Sequence, residues 1–246
     1  MLLALFLLDL ASGLYLFLPL VGRRNAGVKF YRLILITSGS LTVGAAIAHW
    51  LAHAGALVNA EAFLVALTVI VVLLLRYPKR LIFRVPAALL GVAYIATAIG
   101  AWRLATGASI GWSIAGALSS MALLGSVNMA MLLGHWYLVV RGMAIDPLRR
   151  LTVATLVSTL VRIGVVGGAM LVPGVWREVA MQQGIFFWMR AGWGLAGPLV
   201  LYPMVWGTVK IRSTMAATGI LYVDVVAVVI GEVLGGWLSA IVHLPV

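Results

Sequence analysis

Two of the four histidines in this chain sit in one repeated pattern. Gly39-Ser40-Leu41 precedes Ala48-His49-Trp50, and Gly125-Ser126-Val127 precedes Gly134-His135-Trp136 at the same spacing. Histidine is the side chain suited to haem ligation or to a quinone hydrogen bond near neutral pH. His53 follows His49 at i+4, on one face if the helix continues, and His243 lies close to the chain end. These spacings make His49, His53 and His243 candidate axial ligands for a b-type haem, with His135 as a further cofactor contact. Interfacial histidines and close helix packing at the Gly-Ser pairs account for the same residues without a cofactor.

Five charged residues fall inside apolar stretches: Asp9, Arg162, Arg190, Asp224 and Glu232. Each costs about 2.5–3.5 kcal/mol on insertion scales unless paired or hydrated. Matching their depths along the segments predicts the pairs Arg162–Asp224 and Arg190–Glu232. Either the pairs fix helix assembly, or the groups form a proton path or a polar quinone pocket. Asp224 and Glu232, eight residues apart, lie about 80° apart around a helix and are expected to face one cavity. Asn128, Tyr137 and Tyr222 add hydrogen-bond donors nearby.

The elements that position these side chains follow from composition. Hydrophobic residues are 64% of the chain and charged residues 9%, against about half and about a quarter in soluble domains. Apolar runs of about 20 residues exclude a barrel and indicate an all-α polytopic membrane protein. The absence of cysteine excludes disulfides, iron–sulfur ligation and thiolate zinc sites within the chain. Eight transmembrane helices are predicted at 2–20, 31–53, 57–75, 84–102, 111–139, 152–172, 184–207 and 215–242, forming one transmembrane domain over 1–246 with no soluble domain.

Thirteen of the 17 basic residues fall in the four connections after spans 1, 3, 5 and 7. The positive-inside rule makes this side cytoplasmic, with both termini outside. The net charge of +11 is therefore a topology signal, and nucleic acid is not an expected partner. Arg23-Arg24 follow the first apolar stretch instead of preceding it, so that stretch is expected to be a retained span and not a cleaved signal. With spans 2 and 5 three helices apart, spans 2–4 and 5–7 make a candidate inverted 3+3 repeat.

No P-loop, HExxH or catalytic triad is present, so no catalytic residues are assigned. In size, span number and lack of a soluble domain the chain resembles the quinone-binding membrane subunits of bacterial respiratory complexes. The resemblance implies an integral subunit of the bacterial inner membrane. It would bind quinone, haem b or both, and exchange electrons with partner subunits that include a soluble or periplasmic redox protein. A small secondary transporter built on the inverted repeat is the alternative, followed by a structural or assembly subunit.

Overall fold

The computed structural model describes residues 1–77, 81–140 and 142–246. Lys79, Arg80 and Arg141, which contribute to the basic-loop count, lie outside the described residues. All regular structure among the described residues is helical: α1 (Leu2–Val21), α2 (Arg23–Leu51), α3 (Gly55–Leu74), α4 (Leu81–Thr106), α5 (Ile110–Val139), α6 (Asp146–Met170), α7 (Gly184–Met189), α8 (Gly197–Lys210) and α9 (Thr214–Val242), with π-helical segments at Arg177–Gln182 and Arg190–Ala196. Eight helical spans are long and apolar enough to cross a membrane, the seventh running continuously over Gly184–Lys210. The protein is an integral membrane protein of the polytopic helical class. An even number of spans puts both termini on one side, the terminal side, opposite the arginine-rich connections, the basic side.

α5 is the centre of the bundle. Of its most apolar window 78% is buried, more than in any other span, and it packs on α1, α4, α6 and α9. Small residues make this possible, because helix association in lipid rests on close van der Waals packing. A methyl group added at Gly13 of α1 or at Gly125 of α5 would lie under 3 Å from the backbone of the other helix. Gly134 likewise meets Thr218 of α9. In the second copy of the repeat, the Gly-Ser unit is thus a helix-crossing device.

Two helix starts differ by six residues or more from the sequence expectation. α2 starts at Arg23, and its first turn is offset from the rest by Gly27 at φ 78°. α6 starts at Asp146, six residues before the expected start, because Pro147 occupies its first turn, where a missing N–H costs nothing. This earlier start moves the middle of span 6 toward the basic side and leaves Arg162 in the terminal half of the helix.

Within span 7, α7 and α8 are joined by the π-helical turn Arg190–Ala196. Pro198 follows directly and has no N–H to return to the preceding turn, which favours the wider winding. Gly194 within this turn crosses Gly231 of α9 so closely that a methyl at either would lie under 3 Å from the other's Cα.

Candidate binding cavity and buried charge cluster

Arg162, Arg190 and Glu232 meet at the join of α6, the π turn and α9. Arg162 donates from Nε and Nη2 to the two oxygens of Glu232 at 3.1 and 2.9 Å. Arg190 Nη2 donates to Glu232 Oε1 at 2.7 Å. Both arginines are fully buried. Arg162 Nη1 also donates to Ser119 Oγ at 3.0 Å, and its guanidinium carbon lies 5.5 Å from the centre of the Trp102 ring. Trp102 in turn donates its indole proton to Asp9 Oδ2 at 2.8 Å. One network therefore joins α1, α4, α5, α6, the π turn and α9. Counted from the terminal ends of their spans, these residues lie four to ten positions in, roughly 6–15 Å deep at about 1.5 Å per residue.

The Arg190–Glu232 contact is the one expected from depth. The Arg162–Asp224 pair is not formed. With α6 beginning at Asp146, Arg162 lies four residues to the terminal side of its helix centre. Glu232 lies equally far from the centre of α9 on that side, and Asp224 equally far on the other. Asp224 is buried, and its Oδ1 has no hydrogen-bond partner among the described residues.

The cluster borders a cavity of about 360 Å³. Its walls are mainly apolar and include Leu2, Leu5, Phe6 and Trp237; Asp9, Trp102, Ser120 and Glu232 supply its polar groups. Ser120 lies beside both carboxylates. Leu3, Phe186 and Val233 also line the cavity and are 63%, 42% and 50% exposed on the apolar outer surface of the bundle. The cavity therefore meets the lipid-facing surface between α1, α7 and α9. Asp224 is not in its wall, so Asp224 and Glu232 do not share this cavity, contrary to expectation. Asn128 Nδ2 donates to Leu124 O at 2.8 Å, and Tyr137 donates to the carbonyl of Ala144 beyond the basic end of α5; neither borders it.

The histidines lie elsewhere. His49 is fully buried, and its Nδ1 is 2.7 Å from Glu61 Oε1 of α3, also fully buried. His49 Nε2 and Glu61 Oε2 have no partner among the described residues. α2 ends at Leu51, and His53 adopts φ 57° in the turn that follows. His53 is therefore off the helical face that i+4 spacing implied. His243 contacts the carbonyl of Thr106, where α4 ends. His135 is exposed, with Nδ1 3.3 Å from the Tyr222 hydroxyl. Among the described residues no group of three or more His, Asp and Glu side chains could hold a metal ion. No histidine lines the cavity beside Asp9 and Glu232 or four others among the described residues.

Sequence reasoning singled out Asp9 without a partner and missed Trp102, Ser119, Ser120 and Glu61. The missed serines and tryptophan carry no distinguishing local pattern. Glu61 carried a signal that could have been read, because an acidic residue near the start of span 3 shares a membrane level with His49 near the end of span 2. Comparison of the chain with known families, with curated proteins and with solved structures finds no match.

Proposed function

We propose that this protein is the membrane subunit of an electron-transfer complex and that the cavity beside Asp9 and Glu232 takes a quinone from the bilayer. The observation that carries the reading is the pairing of an apolar cavity that meets the lipid-facing surface with polar groups at one end of it. A quinone has the same two parts, an apolar tail and a ring with carbonyl oxygens that accept hydrogen bonds. Ser120, in the wall beside both carboxylates, would turn its hydroxyl to a ring oxygen when the cavity is occupied. Glu232 is held as an anion by two guanidinium groups and serves to fix the wall of the site. Asp9 forms no ion pair among the described residues and, with its Oδ1 unpartnered among them, would be the group that exchanges a proton, a general acid–base role. Reduction of a quinone to a quinol takes two electrons and two protons. The electrons would come from, or return to, a partner subunit, and Asp9 would pass protons.

By the distribution of basic residues the cavity faces the outer leaflet, periplasmic in a bacterial inner membrane. A b-type haem, the other cofactor considered, would use His49 through Nε2, the nitrogen that Glu61 leaves free. The cavity gives no support to that form of the reading. The transporter alternative draws its support from the π turn at Arg190–Ala196, since a local change of winding within a helix is frequent at functional sites.

The test is solvent extraction of the purified protein, followed by chromatography of the extract and a visible spectrum. About one quinone per chain in the unaltered protein, lost in Gly236→Phe, is the expected result. Gly236 lines the cavity and has nothing within 4 Å of where a Cβ would stand, so a side chain can start there without a clash, and the Phe ring is the group meant to occupy the cavity. A quinone-free protein that carries a solute gradient in vesicles would transfer the assignment to the transporter.

A further inference from the structure

A second cavity, of about 370 Å³, opens at the basic side of α1–α4. Its walls include Tyr15, Tyr31, Leu35, Leu75, Phe83 and Ala87. Both tyrosine hydroxyls are already committed to carbonyls, Tyr15 to Ala87 at 2.6 Å and Tyr31 to Leu18 at 3.1 Å, so the lining presents hydrocarbon and ring faces. Three wall residues are each followed directly in sequence by an exposed arginine: Tyr31 by Arg32, Leu75 by Arg76 and Phe83 by Arg84. Arg23 acts on Tyr31 electrostatically, and its Nη1 is buried with no hydrogen-bond partner among the described residues. Between Asp9 and Glu61 the sequence has no acidic residue. None of these four arginines forms an ion pair with a carboxylate among the described residues.

We propose that this slot is a binding site for an anionic phospholipid of the leaflet on the basic side. One acyl chain would lie along Leu35, Phe83 and Ala87, and the phosphate would sit among Arg23, Arg32, Arg76 and Arg84. Charge complementarity argues for this occupant: four arginines with no carboxylate partner among the described residues stand beside wall residues in sequence or, for Arg23, act on one directly, at the basic-side end of an apolar slot. Basic pockets between transmembrane helices on the cytoplasmic side are suited to anionic headgroups, and that leaflet is where anionic lipids concentrate. A zwitterionic lipid offers the same tail but no net charge to offset the arginines. A soluble phosphate offers the charge without the tail. The lipid would add a further tie between α1, α2 and α4 near the Gly22–Gly27 turn. This site is separate from the quinone cavity, and its test does not depend on that reading.

The experiment is stepwise delipidation of the purified full chain, with phosphatidylglycerol and phosphatidylcholine supplied in equal amounts and the retained lipid counted by native mass spectrometry. Two variants are compared with the unaltered protein, each checked for helicity and monodispersity. Arg23→Gln/Arg32→Gln/Arg84→Gln removes charge, and Ala87→Phe fills the slot while keeping every arginine. The expected result is one retained phosphatidylglycerol in preference to phosphatidylcholine. The triple variant should lower retention on the order of 100-fold, at roughly fivefold per basic side chain. Ala87→Phe should lower it as well, and the triple Arg→Lys variant should restore it. Equal retention of the two lipids, retention unmoved by Ala87→Phe, or displacement by inorganic phosphate alone would overturn the proposal.

Discussion

Arg162 and Arg190 share one carboxylate: each donates to Glu232, Arg162 through two bonds at 3.1 and 2.9 Å and Arg190 through one at 2.7 Å. Three helical segments are thereby tied to one side chain at full burial. Removing the common partner of buried charges costs about 3–5 kcal/mol, because the remaining charges stay buried without compensation. Glu232→Gln should therefore lower the unfolding midpoint in detergent far more than Asp224→Asn, since Asp224 has no ionic partner among the described residues. Arg190→Leu combined with Glu232→Leu should fail to restore stability, since Arg162 remains charged. The triple variant Arg162→Leu/Arg190→Leu/Glu232→Leu should recover most of it. Full recovery in the double variant would show that Arg162 does not depend on Glu232.

The α1–α5 crossing gives a prediction of a different kind. A methyl at Gly13 or Gly125 would meet the opposing backbone at under 3 Å, and backbone cannot move aside as a side chain can. Gly125→Ala should cost at least as much as an overpacked core, about 1–3 kcal/mol, visible as a lower midpoint and loss of monodisperse protein. Gly164→Ala on α6, with nothing within 4 Å, serves as the control and should be neutral or slightly stabilising. Equal effects at the two positions would contradict the close crossing.

The class and the eight spans were legible because lipid imposes one strong rule, about 20 apolar residues in a hydrogen-bonded helix. Five of the buried charges, Asp9, Arg162, Arg190, Asp224 and Glu232, were legible for the same reason, since each violates that rule; Glu61, near the start of its span, was missed. Their partners were legible only as far as helix boundaries were. The six-residue error at the start of α6 was enough to match Arg162 with Asp224 in place of Glu232. His53 was misplaced by a comparable cause, because nothing local marks Leu51 as the last residue of α2. Which side chains surround a cavity depends on lateral packing of helices far apart in sequence. Trp102 meets Asp9 across 93 positions, and no periodicity within either helix reports that.

The His49–Glu61 contact is a buried pair with one free atom on each partner. His49→Leu leaves a carboxylate without its neighbour and should destabilise by about 3–5 kcal/mol. Glu61→Leu leaves the imidazole with an unmet hydrogen bond and should cost less, about 1–3 kcal/mol. Joint replacement of both by leucine should return stability close to the starting value. Chemical denaturation in detergent measures all three, and a double variant no better than the worse single one would show that the two side chains act independently.

Topology is accessible because the chain has no native cysteine to remove. Single cysteines at Ser109 and Gly184, at the terminal ends of α5 and α7, should react with an impermeant maleimide added to intact cells. A cysteine at Val28, near the start of α2 and 43% exposed, should react only after permeabilisation. The reverse pattern would place the cavity beside Asp9 in the cytoplasmic leaflet.

The central claim is that the cavity between α1, α7 and α9 accepts a quinone from the membrane. Photolabelling with a quinone analogue that carries a photoreactive tail, in native membranes and with peptide mapping, addresses it most directly. The account predicts adducts confined to the walls of that cavity, around Leu3, Phe186 and Val233, suppressed by excess natural quinone and absent in Gly236→Phe. Adducts spread over all lipid-facing helices, or unchanged by competing quinone and by Gly236→Phe, would contradict it.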